Sequence, residues 1–195
     1  MRASCVAAPL FCLTMLGCST PSAPVPTGPA PDWKLASVSM ATGNQFQGTT
    51  SGGQLSLTIS GRSISGPVTS LDVSGGHVRG TGGSGRTIDV SFKDNKGEGL
   101  VGTTLFSCIV DVQPDGSAHI TGAMGAGNTD FILSPKQITG RIGVVSYQLA
   151  WNPDKQQYEG QMVPGGYGFL DLPVSMASWT PVEASCTLAL IMMGA

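Results

Sequence analysis

The segment Gly80–Thr87, GTGGSGRT, nearly spells a phosphate-binding loop, G-x-x-x-x-G-K-[ST], with Arg86 in the lysine position. Such a loop works because it leaves a strand and opens a helix, whose first backbone N–H groups cradle phosphate. The chain continues here as TIDVSFKD, beginning at Thr87, which alternates apolar and polar residues at period two and so enters a strand. The segment therefore reads as a glycine-rich hairpin connection, and no nucleotide is expected. The two histidines, His77 and His119, each sit beside a turn, with no carboxylate or thiol at ligand spacing. Asp94, Asp115, Asp130 and Asp154 are scattered singly and do not form the dense ladder of a calcium loop. There is no G-x-S-x-G elbow to aim a nucleophile. The expectation is a protein with no metal, no cofactor and no enzymatic activity.

Cysteine is the other residue type that carries chemistry, and its meaning depends on the N-terminus. Met1-Arg2 supplies one positive charge, and the uncharged apolar run to Gly17 is shorter than the ~20 residues of a membrane-spanning helix. Leu16-Gly17-Cys18 comes next, and then STPSAPVPTGPAPD, rich in Pro, Ser, Ala and Thr. This resembles the lipobox of bacterial lipoproteins. The resemblance implies a signal peptide over 1–17, acylation of the Cys18 thiol and a mature chain that starts there. Ser19 after the cysteine implies retention at the outer membrane, on either of its faces. Residues 18–32 are too poor in apolar side chains to offset the entropy of ordering, and their prolines favour extension, as suits a tether. The competing reading is an ordinary secretory signal cut near Ala23 or Ala30, with Cys18 discarded.

With Cys5 and Cys12 in the signal and Cys18 lipidated, Cys108 and Cys186 remain. Two cysteines in an oxidising envelope form a disulfide more readily than they persist as two buried thiols. Read as a strand, FSCIVDV places Phe106, Cys108, Val110 and Val112 on one face. VEASCTLALIMM, also read as a strand, does the same for Cys186, Leu188, Leu190 and Met192.

Residues 33–195 amount to one domain. A net charge of -2 with 11% charged residues provides no basic cluster for phosphates, so nucleic acid is excluded as a partner. Glycines number 28, turn residues recur every few positions, and no 3.6-residue apolar periodicity follows the signal. The reading is all-β. A signature of apolar residue, any residue, glycine recurs as FQG, ISG, VRG, LVG, two copies of ITG, and YEG, ending at Gly48, Gly66, Gly80, Gly102, Gly122, Gly140 and Gly160. Spacings near the length of a hairpin predict an antiparallel meander, with a bend or bulge at each glycine. A long meander must close or fold into two layers, so an up-and-down barrel or a curved sandwich is expected, with Val182–Met193 as a long last strand. The sparse aromatics show no girdle pattern, which argues against a transmembrane barrel.

PGGYGFLDLP, Pro164–Pro173, breaks the hairpin rhythm and sets Tyr167 and Phe169 among glycines, with Trp179 soon after. These three aromatics form either a partner-binding surface or a plug over one barrel end. The hairpin signatures, FQGT and ISG among them, resemble the barrel lobes of transferrin-binding-protein-like surface lipoproteins. The longer Gly-Phe-rich signature of those lobes is absent, so receptor function does not carry over. The functional expectation is a protein-binding or structural accessory module of the outer membrane, held there by its lipid. A small-ligand-binding barrel and a secreted inhibitor are the alternatives.

Overall fold

Strict alternation of apolar and polar residues gives each strand one face for a core and one for water. In chain order the strands are β1 (Gln45–Thr50), β2 (Gly53–Ser60), β3 (Ser63–Ser65), β4 (Ser70–Ser74), β5 (His77–Thr81), β6 (Thr87–Lys93) and β7 (Lys96–Val101). The second half contains β8 (Thr104–Val112), β9 (Ala118–Met124), β10 (Gly127–Leu133), β11 (Gln137–Gly143), β12 (Val145–Asn152), β13 (Gln157–Val163) and β14 (Gly166–Asp171). The computed structural model describes residues 40–194. The expected signal peptide and the tether with Cys18 lie outside the described residues.

Each strand pairs antiparallel with its sequence neighbours, and β1 pairs with β14, Gln47 opposite Asp171 and Gly48 opposite Leu170. The meander thus closes into a barrel of 14 strands with no free edge, and the sandwich alternative falls away. Phe46, Ile59, Val90, Phe106, Ile120, Phe131, Tyr147 and Tyr158 point inward and are buried. The outward positions are mostly Ser, Thr, Gln, Asp and Lys. That polarity is the reverse of a membrane-spanning barrel, which is apolar outside and polar within.

The signature glycines do not form bulges. Pairing runs in register through five of them, as at Gly80 opposite Leu71 and Gly160 opposite Leu149, while Gly66 and Gly102 lie on connections just past β3 and β7. Gly80, Gly122, Gly140 and Gly160 mark places where the neighbouring backbone comes too close for a side chain. A Cβ on Gly80 would lie 2.0 Å from the Ser70 carbonyl oxygen, and one on Gly160 would lie 2.2 Å from that of Gln148. Close approach of this kind lets a sheet bend sharply enough to close.

The expected last strand, Val182–Met193, is instead a helix, α1 (Pro181–Met192), and it lies inside the barrel. Its buried residues run without a break from Val182 to Met192. A helix enclosed on all sides has no polar face, so it shows no 3.6-residue stripe. Its start is nevertheless written locally. Thr180 is the N-cap, Pro181 stands at N1, and Glu183 closes a capping box on the Thr180 backbone N–H.

The chain enters α1 from the end of the barrel that also holds its N-terminal side. The Ala41 N–H donates to the Leu172 carbonyl oxygen at 2.8 Å, beside the last strand. A short 3-10 helix, Val174–Ser178, buries Met176 and turns the chain inward. At the opposite end, Thr129 Oγ1 donates to Met193 Sδ at 3.2 Å, where the helix terminates. Midway, the sulfurs of Cys108 on β8 and Cys186 on α1 lie at disulfide distance, 2.24 Å, so the expected pairing joins wall to helix.

Candidate functional site

The structure separates the three aromatics of the predicted surface. Trp179 is buried at the helix-entry end, where its indole N–H donates to the Gly61 carbonyl oxygen at 2.9 Å. It acts as a plug. Tyr167 and Phe169 lie on the outer wall of β14, on the far side of the sheet from the core. Tyr167 is 61% exposed and Phe169 half-buried, with the Phe169 N–H donating to Thr49 Oγ1 at 3.3 Å.

The β13–β14 hairpin explains why Tyr167 stands out. Gly165 and Gly166 take φ of +134° and +84°, a backbone that L side chains rarely adopt. Gly168 leaves room for the Met162 side chain, since a Cβ there would lie 2.5 Å from its sulfur. Tyr167 is thereby held opposite Gln161, and Phe169 opposite Glu159.

Glu159 is the hub of this wall. Its carboxylate accepts from Asn152 Nδ2 at 2.6 Å, Lys155 Nζ at 2.7 Å and Gln157 Nε2 at 2.9 Å, and also from the Tyr167 hydroxyl. These donors, Lys155 first, hold its pKa down at about 2. The same hydrogen bonds raise the pKa of Lys155 and of the Tyr167 hydroxyl. Tyr167 is therefore pinned at its hydroxyl while its ring stays open to solvent. A rigid aromatic presented this way loses little entropy on contact. A shallow cleft of about 540 Å³ runs beside it, lined by Gln161, Val163 and Gly166. Sequence reasoning found Tyr167 but missed Glu159. The signal was the polar run NPDKQQYEG, whose turn returns Asn152 and Lys155 over β13.

Elsewhere on the wall, His119 Nε2 lies 2.7 Å from Asp130 Oδ1, a partner that linear spacing did not show. Asp130 is open to solvent, so nothing desolvates the pair as a catalytic dyad would require. His77 Nδ1 lies 3.4 Å from Arg79 Nη2. Gly80–Thr87 joins β5 to β6 as a hairpin connection, as its alternating sequel indicated. Among the described residues no group of three or more His, Cys, Asp or Glu could hold a metal ion. Comparison with protein-family models, with curated proteins and with solved structures finds no match to this chain.

Proposed function

We propose that this protein is a lipid-anchored module of the outer membrane that binds a protein partner through the outer wall of β13 and β14. The observation that carries the reading is Tyr167, exposed yet fixed by Glu159 on a closed and filled barrel. Helix α1 takes the space that a small-ligand carrier would keep open, which weighs against an interior binding site. The anchor rests on the sequence LGCST and on the tether after it.

The test uses intact cells treated with protease, comparing wild type with Cys18→Ala. A lipoprotein stays with the membrane as wild type and is released as Cys18→Ala. Cleavage in intact cells places the barrel outside, and protection places it in the periplasm. If both forms are soluble, the anchor reading is wrong. Chemical cross-linking in the same cells tests the wall: a partner band present in wild type and lost in Tyr167→Ala supports it, and an unchanged band sinks it.

A further inference from the structure

The two ends of the barrel differ in chemistry. At the end where the chain enters, the connections carry Arg62, Asp94, Asp115, Lys136, Asp154 and Lys155. At the opposite end, the connections are Ser51-Gly52, Gly66–Thr69, Gly82–Arg86, Gly102-Thr103, Gly125-Ala126, Val144 and Pro164-Gly165, and Arg86 is their one charged residue. Most of the exposed large apolar side chains sit on that second rim. They are Val68, Leu100, Leu105, Val144 and Val163, with Leu105 reaching 75% exposure. Val68 and Val144 lie on the connections after β3 and β11, and Leu100, Leu105 and Val163 on the strand ends beside the connections after β7 and β13.

We propose that this apolar, sparsely charged rim docks onto the surface of a neutral or zwitterionic lipid bilayer. Exposed apolar groups clustered at one end mark a contact surface. Their arrangement selects the occupant. Side chains set around a convex rim form no groove for a peptide or helix, whereas a bilayer is planar and faces the whole rim. Valine and leucine suit the headgroup–acyl boundary, and the glycines, serines and threonines between them bring no charge to desolvate. Arg86 and Arg141, whose Nε donates to the Gly143 carbonyl oxygen at 2.8 Å, are too few for more than a weak attraction to anionic lipid. Reach is no obstacle. The 22 residues from Cys18 to Ser39 span up to ~70 Å at ~3.1 Å per residue. Strands of about seven residues make a wall only ~23 Å high at ~3.3 Å per residue. An anchored chain can therefore lay its far rim on the bilayer that holds it. The docking itself does not rest on the Cys18 reading.

The test attaches a polarity-sensitive fluorophore at Val144→Cys on the rim or at Asp154→Cys on the charged end of the full-length protein. Phosphatidylcholine vesicles carrying bromine-quenched acyl chains are then added. Several-fold stronger quenching at position 144 than at 154 is expected, and Leu105→Asp should abolish the difference while leaving the far-UV circular dichroism unchanged. Equal quenching at the two positions overturns the proposal. So does a blue shift at 144 that grows with protein concentration without vesicles, because the rim then covers a second copy. A requirement for phosphatidylglycerol also overturns it. Flotation of the Cys18 protein reports the anchor separately, so failure of the rim and failure of the anchor give different results.

Discussion

Arg62 and Glu183 meet where the helix enters the barrel: Arg62 Nη1 donates to Glu183 Oε1 at 2.9 Å, and the Thr180 backbone N–H donates to Oε2 of the same carboxylate at 2.9 Å. Arg62 Nη1 also donates to the Val73 carbonyl oxygen at 3.2 Å. One buried carboxylate thus caps α1 and ties it to the wall. Glu183→Gln keeps an acceptor for the cap and removes the charge, and should lower stability by about 1–2 kcal/mol. Arg62→Met should cost a similar amount, and the double variant less than the two costs added. Urea unfolding of the four proteins checks this.

Cys108 and Cys186 close a loop across a sequence separation of 78. In the chain-entropy account a loop of that length contributes ~4 kcal/mol. Paired substitution of both cysteines by alanine should lower the unfolding free energy, read from urea titration, by an amount of that order. Adding reductant should destabilise the wild type and leave the paired variant unaffected.

Gly160→Ala places a Cβ against the Gln148 carbonyl oxygen, part of the backbone of the neighbouring strand. Backbone cannot yield as a flexible side chain would, so a loss of about 2–3 kcal/mol is expected. Gly61→Ala is the control, since nothing lies within 4 Å of its added Cβ. Its φ of +58° is tolerated at smaller cost, and its thermal midpoint should fall less.

Tyr147 on β12 donates to the Thr49 carbonyl oxygen of β1 at 3.0 Å, and burial pushes its pKa up to about 12. The neutral hydroxyl is the form the fold holds. Because the folded value exceeds the unfolded ~10, its contribution is complete below pH ~10 and is lost as pH rises through about 12. Ultraviolet titration should show a late tyrosinate step that coincides with alkaline unfolding, and Tyr147→Phe should lower its amplitude.

Glu159 titrates at the other extreme. Its folded pKa of about 2 lies below the ordinary 4.5, so what it contributes is present above the ordinary value and lost as pH falls through about 2. Carbon-detected NMR should place its midpoint near that value. Lys155→Ala, which removes the leading cause, should move the midpoint upward, and an unmoved midpoint would contradict the hydrogen bond between Lys155 and Glu159.

Period-two alternation in stretches such as LSLTI, IDVSF and YQLAW is enough to assign strands, their faces and the hairpins between them, because that pattern is local. Cysteine parity identifies Cys108 and Cys186 in the same way, although the element carrying Cys186 is a helix and not the expected strand. VEASCTLALIMM is apolar on every side, and a segment buried all round carries no period by which helix and strand differ. The capping signal Thr180-Pro181-x-Glu183 is present and legible but weak beside that run.

What residues dictate one by one here is the hairpin: its faces, its turns and the close approaches that need glycine. Closure was a tertiary decision. Alternation states which side of a strand is wet and is silent on how many strands surround the axis. The observed number matches what the tube holds. Fourteen strands spaced ~4.8 Å apart and tilted ~40° enclose a tube ~28 Å across. A helix ~10 Å wide needs such a space, together with the inward side chains that pack on it. Tertiary structure likewise sent Trp179 inward and left Tyr167 outside. Two aromatics close together in the chain were sorted by which end of the barrel had a helix to seal.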